Sequence, residues 1–321
     1  MNYETCVAND GCTLAFQTSR PLSGSHGPDT PPIVLLMHGF SGSSEYFTRN
    51  FGPLSERLWV IAPDMRGHGR SSRTPGGYHV ARLAADLRDL LAHIRRHTSV
   101  PIVPVGCSIG AAVLWTYVEL FTASDFAGFV FVDQGPLQDR SVFGGGWDAS
   151  RAHTGCYDEA SLRAAQDLWV SDPPAAYADL VAGCLGYRQK VPSSAAAAEG
   201  GPLPPSPEQA AEDEAFFTRT SAQCDPVWLA RLMADHTRYD HREAIDMIDV
   251  PTLVMAGRRS GCFPLEGMLE TARRLNAVRP GLAKGEVFES GHWLFYEEPD
   301  KFNATTAAFV EGCSARAAGS T

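Results

Sequence analysis

A chain of 321 residues, 44% hydrophobic and 20% charged, has the composition of an ordinary globular protein and can bury one large core. Its 37 acidic and 27 basic residues leave a formal charge of −10, and no Lys/Arg run resembles a phosphate-tracking patch, which argues against nucleic acid as a partner. The amino terminus, MNYETCVANDGCTLAF, has neither a basic nor an uninterrupted apolar segment, and no apolar run approaches the ~20 residues that span a bilayer. The expectation is a soluble, cytoplasmic protein without membrane insertion that acts on a small molecule.

In chain order, three short apolar runs, IVLLMH (33–38), LWVIAPD (58–64) and VPIVPVG (100–106), read as buried parallel strands. Helix-length segments alternate with them: VARLAADLRDLLAHIRRH (80–97) and AAVLWTYVELF (111–121). FAGFVFVDQGP (126–136) reads as a strand followed by a turn. The rhythm then stops, and residues 137–236 show helical patterns without a convincing buried strand. Within them VPSSAAAAEGGPLPPSPEQAAEDE (191–214) is rich in Pro, Ala, Gly and acid, a composition expected of a mobile loop. DVPTLVMAG (249–257) restores the strand signature, followed by a short strand GEVFE (285–289), an SGHW turn and a helix from Pro299 to Cys313. The chain is therefore expected to be an α/β protein with a mostly parallel central sheet flanked by helices. Residues 1–136 and 237–321 would form its core, split by a helical insertion over 137–236.

Ser108 lies between Gly106 and Gly110 in VPVGCSIGAA, after a strand and before a helix, which is the setting that gives G-x-S-x-G its meaning. A serine at the apex of so tight a turn is strained, and side chains two residues before and after it would collide. The helix that follows aims its N-terminal amides at the reaction centre. An oxyanion needs two such donors. Ile109, directly after the serine, supplies one, and Phe40, in the loop MHGFSGSSEYF (37–47) after an earlier strand, supplies the other. Among ten histidines, His292 in FESGHWLFYEEPDKF follows a strand at the sheet's C-terminal edge and is the candidate base. His38 and His68, in tight glycine turns, read as structural hydrogen-bonding groups, and His93 and His97 as solvated residues of a surface helix.

With these residues in place the sequence resembles the α/β-hydrolase superfamily, in its serine-nucleophile branch with a helical cap. HGFSG, APDMRGHGRSS, GCSIG, FVDQGP, VPTLVMAG and SGHW fall in the family's order over roughly residues 33–136 and 235–313. The resemblance implies Ser108 as nucleophile, His292 as base, and the amides of Phe40 and Ile109 as the oxyanion hole. Serine in place of aspartate at the elbow argues against haloalkane dehalogenase or epoxide hydrolase chemistry. One position departs from the pattern. The loop after VPTLVMAG reads GRRSGCFP, with Ser260 where relatives carry the acid of the triad. Some relatives draw that acid from the end of the preceding strand, where Asp133 stands here, and Asp133 is the expected acid, with Glu266, another residue or no acid at all as the alternatives.

The insertion carries Trp147, Tyr157, Trp169, Tyr177, Phe216, Phe217, Trp228 and Leu232, enough apolar surface to line a pocket. Candidate substrate contacts are Trp169, Trp228 and Trp293, with Cys107 beside the nucleophile and Arg258 as a partner for a carboxylate. Cys107 and Cys262 also read as small packing residues. The eight cysteines show neither a CxxC pair nor a Cys/His ligand spacing, so neither zinc nor a disulfide framework is expected. The expected activity is cofactor-independent hydrolysis of an ester, lactone or thioester. Carbon–carbon bond hydrolysis, a cyclisation or condensation, and a ligand-binding pseudo-hydrolase are the alternatives.

Overall fold

Strands β1 (Asn2–Val7), β2 (Thr13–Thr18), β3 (Ile33–Met37), β4 (Trp59–Pro63), β5 (Ile102–Cys107), β6 (Phe129–Val132), β7 (Thr252–Gly257) and β8 (Ala283–Phe288) form one sheet in a computed structural model. That structure describes residues 2–139 apart from Ser25 and Pro28, residues 157–189 and residues 204–319. The strand order is β1-β2-β4-β3-β5-β6-β7-β8; β1 and β2 pair antiparallel and β2 meets β4 antiparallel, while every other pairing is parallel.

The helices are α1 (Phe51–Ser55), α2 (Val80–Arg95), α3 (Ile109–Phe121), α4 (Glu159–Ser171), α5 (Pro173–Cys184), α6 (Pro207–Ser221), α7 (Pro226–Arg238), α8 (Arg242–Asp246), α9 (Leu265–Val278), α10 (Leu294–Glu297) and α11 (Pro299–Gly319). Helices α4 to α7 all lie between β6 and β7 in the chain, where the sequence pattern places its insertion.

Strands β3, β4, β5 and β6 are buried at every position, as expected of parallel strands covered on both faces. Alternation along β3 divides the core: Ile33, Leu35 and Met37 pack with α2 and α3, while Val34 and Leu36 pack with Tyr46, Phe47 and Val310. The apolar stripe of α2, Leu83, Leu87, Leu90, Leu91 and Ile94, recurs at spacings of three and four, and His79 caps its first turn by accepting from the Arg82 amide.

Two features depart from the sequence reading. The antiparallel pair β1–β2 was not signalled, because the edge strand NYETCV is half polar and mostly exposed or half-buried. The expected loop 191–214 is helical from Pro207 onward. Ser206 accepts from the Gln209 amide, Pro207 occupies the first turn, and Asp213 is buried against Arg49 at 3.1 Å. Alanine and acid read there as disorder are helix formers behind an N-cap. Residues 191–203 lie outside the described ones, as does Trp147. No helix among the described residues is long and apolar enough to cross a membrane.

The loops after β3 and β4 are locked together by two buried histidines. His38 donates from Nδ1 to the Gly39 carbonyl at 2.8 Å and accepts at Nε2 from the Met65 amide at 3.0 Å, so its neutral form fits the site. His68 lies 5.1 Å away, ring to ring, and bonds the Arg66 carbonyl at 2.9 Å. Burial lowers the pKa of His38 to about 4 and that of His68 to about 3. An unfolded chain takes up these protons near the ordinary histidine pKa of 6.5, so the stability they lend is complete above that pH and is lost as pH falls from there toward 4. Each group costs up to about 1.4 kcal/mol per pH unit in that window. Urea unfolding is expected to show a midpoint that falls steeply below pH 6.5 and a shallower fall in His68→Gln. A midpoint that stays flat from pH 7 to 5 would contradict the neutral, buried state of the pair.

Candidate active site

Ser108 sits between β5 and α3 with φ 53° and ψ −124°, a conformation that no L-residue adopts without strain. A Cβ on Gly106 would fall 2.7 Å from the Gly110 carbonyl group, and one on Gly110 would fall 2.8 Å from the Met37 carbonyl oxygen. Both glycines are therefore demanded by the turn. The Ser108 amide donates to the Val132 carbonyl at 2.9 Å, which fixes the apex against β6.

The Gly39–Phe40 turn after β3 lies against the serine, since a Cβ on Gly39 would come 3.3 Å from Ser108 Cβ. Among the described residues neither the Phe40 nor the Ile109 amide has a hydrogen-bond partner. One belongs to the loop after β3 and the other to the first turn of α3, directly after Ser108.

Asp133 follows β6 with φ 48° and is fully buried. Its Oδ1 accepts from His292 Nδ1 at 2.5 Å and from the Ser260 hydroxyl at 2.7 Å, and its Oδ2 accepts from the Gly257 amide at 2.7 Å. These bonds set the His292 tautomer with Nδ1 protonated. Ser260, standing where a carboxylate is usual in relatives, instead ties its loop to Asp133. Glu266 is exposed in the first turn of α9, and no hydrogen bond joins it to His292.

His292 is nearly buried, and its backbone amide donates to the Cys184 carbonyl at 2.8 Å. Burial by itself lowers its basicity, and the Asp133 carboxylate opposes that by favouring the imidazolium. Contact with Cys184 and burial push the Cys262 thiol well up, so it is neutral near pH 7 and Asp133 is the charge that acts. No hydrogen bond joins Ser108 Oγ to His292 among the described residues, which by itself excludes no catalytic pairing, since such bonds are often long without a bound substrate.

Glu297 carried no signal in the sequence. Its carboxylate accepts from the Gly291 amide at 2.8 Å and from the Gly186 amide at 3.0 Å, which clips the His292 loop to the end of α5. Burial raises its pKa to about 7. The two backbones touch there: a Cβ on Gly291 would lie 2.3 Å from the Gly186 nitrogen.

Ser108 and His292 line one cavity of about 410 Å³, walled by Phe40, Leu168, Trp169, Leu180, Met233 and Trp293. The Phe40 ring meets Trp169 edge-on at 5.3 Å. Trp169 and Trp293, two of the anticipated contacts, are thus at the cavity. Three others are not. Cys107 is buried in the core under β5, Arg258 pairs with Glu289 at 2.9 Å, and Trp228 stacks on Tyr78 at 4.8 Å. Adjacency in sequence misled for Cys107, whose side chain is buried in the core rather than at the cavity surface. Tyr157 also lines the cavity, whereas Phe217 stacks on Trp293 at 3.6 Å and Leu232 is core. His236 lines the cavity too, with its pKa lowered to about 3 by burial and no partner for Nδ1 among the described residues, a position that sequence gave no reason to single out.

The chain matches the family described as alpha/beta hydrolase fold over residues 32–299. An uncharacterised protein of Mycobacterium tuberculosis is 37% identical over 92 residues, a match that spans 28% of this chain and only 26% of that one. Epoxide hydrolase A of the same organism is 26% identical over 90% of this chain and 94% of its own. Among solved structures, an esterase from Exiguobacterium antarcticum superposes with a TM-score of 0.76 at 18% identity, covering 96% of this chain and 98% of the esterase. With the sheet order, the Gly-flanked serine and the family match over most of its length in agreement, the chain belongs to the α/β-hydrolase fold family.

Proposed function

We propose that the protein is a serine hydrolase that cleaves a small to medium, uncharged ester, lactone or thioester through an acyl-enzyme. The observation that carries this reading is the Asp133–His292 hydrogen bond at 2.5 Å, set on the same cavity as the strained Ser108. Helices α4 to α7 act as the cap of that cavity. Ser108 Oγ attacks the carbonyl carbon while His292 takes its proton, and Asp133 holds the resulting imidazolium. The amides of Phe40 and Ile109 receive the oxyanion. Collapse of the tetrahedral intermediate expels the alcohol or thiol with the proton from His292. Water, activated by the same histidine, then releases the acid.

A mostly apolar wall, with Gln138, Tyr157, Asp179 and a neutral His236 as its polar groups beside Ser108 and His292, favours an uncharged substrate. Epoxide opening does not suit a serine. Its attack would leave a stable ether, whereas a carboxylate nucleophile leaves an ester that water can cleave. The altered 257–264 loop is the feature behind the carbon–carbon hydrolysis and cyclisation or condensation alternatives, and Asp133 beside His292 supports the hydrolytic reading over them; Ser108, Gly106, Gly110 and His292 together speak against a pseudo-hydrolase.

A fluorophosphonate probe tests the reading. One adduct per chain is expected by intact mass, mapped to Ser108, together with turnover of short-chain p-nitrophenyl esters. A folded protein that neither labels nor turns over any ester, lactone or thioester would overturn it.

A further inference from the structure

Three metal-type ligands meet beside the site from three distant parts of the chain. Cys184 ends α5, Cys262 lies in the loop after β7, and His292 lies in the loop after β8. Their ligand atoms all fall within 4.8 Å of one another. The two Sγ atoms, 78 residues apart in sequence, are 3.8 Å apart. Two thiolates bound to one tetrahedral zinc at about 2.3 Å would sit about 3.8 Å apart, so the sulfurs already have the spacing of a shared ion.

We propose that Cys184, Cys262 and His292 form a binding site for a soft divalent cation, with Zn2+ as the fitting ion, and that filling it shuts off the enzyme. Binding releases two thiol protons to solvent, and the resulting two thiolates neutralise the ion, which suits a buried position. Asp133 already orients the imidazole, as carboxylates orient metal-bound histidines. All three ligands line the cavity, so the fourth coordination position falls to water there. Whichever ring nitrogen takes the metal, catalysis stops: at Nε2 the proton acceptor is gone, and at Nδ1 the bond to Asp133 is gone. The ion would also tie α5 to the two catalytic loops. The spacing of 78 residues between the cysteines hides the cluster from any sequence motif.

Metal binding stands apart from the proposed chemistry, and only the inhibition rests on the serine-hydrolase reading. Titration of the reduced protein with Co2+ is expected to give one ion per chain, with thiolate-to-cobalt charge transfer and the intense visible bands of tetrahedral cobalt. Cys184→Ala and Cys262→Ala should each lose the charge-transfer intensity of one thiolate. Zn2+ should raise the wild-type melting temperature and slow fluorophosphonate labelling at least about tenfold, as expected when a tightly bound ion occupies the base. A chelator should restore the rate. In each cysteine variant, compared with its own metal-free rate, the zinc effect should disappear. Absence of thiolate charge transfer and of any zinc-induced stabilisation in wild type would overturn the site. A cobalt–thiolate spectrum with unaltered labelling would overturn His292 as the third ligand. Failure to label without metal would sink the hydrolase reading, while the spectrum would still decide the site.

Discussion

Ser108→Ala is expected to lower turnover of an activated ester by about 10^6-fold while leaving the protein folded. The hydroxyl makes no hydrogen bond among the described residues, so its loss breaks nothing that holds the turn. The bonds that fix the apex are from backbone, Ser108 amide to Val132 carbonyl at 2.9 Å and Ala111 amide to Ser108 carbonyl at 2.8 Å. Alanine keeps the Cβ, so it meets the strained φ of 53° on the same terms as serine. Stability is therefore expected to change by less than about 0.5 kcal/mol, and the fluorophosphonate adduct to vanish. Urea unfolding and intact mass, run beside the kinetics, separate the two effects. Residual turnover near wild type, or an adduct that persists on another residue, would remove Ser108 from the role of nucleophile.

The interior of the fold was legible because parallel strands buried on both faces write continuous apolar runs, and IVLLM, IVPVGC, FVFV and TLVMAG are such runs. Edge strand β1 is wetted on one side, and its mixed composition hides it. Ser108 was legible for a local reason, since collisions at positions 106 and 110 demand glycine and leave a pattern five residues long. Asp133 and His292 lie 159 residues apart, and only their places at strand ends connect them. The Glu297 clip, the cavity-lining His236 and the Cys184–Cys262 contact depend on how the helices between β6 and β7 settle on the sheet. No local spacing encodes that arrangement. Loop composition misled where an N-cap governed: Ser206 starts a helix in a segment that reads as low in order.

Asp133→Asn is expected to lower kcat by about 10^4-fold, with labelling by the fluorophosphonate slowed in parallel. Both oxygens of Asp133 face donors: His292 Nδ1 and the Ser260 hydroxyl on one, the Gly257 amide on the other. An asparagine must turn its NH2 toward one of these. Facing Gly257 it sets N–H against N–H, and facing His292 it forces the ring into the tautomer with Nε2 protonated, which cannot accept the serine proton. Either way the imidazolium loses its countercharge in a buried site. The fold should survive, because asparagine tolerates the positive φ of 48° and Ser260 can rotate its hydroxyl to accept. Ser260→Ala provides the control for position alone, as it removes one donor from Oδ1 and leaves the Asp133–His292 bond, so its kcat loss should be far smaller. Glu266→Gln should leave kcat unchanged, since that carboxylate is exposed on α9. An Asp133→Asn enzyme that labels within tenfold of wild type, or a Glu266→Gln enzyme that matches its loss, would place the acid elsewhere. The contrast between Asp133→Asn and Ser260→Ala then measures how much of the effect belongs to charge and tautomer, and how much to holding a loop in place.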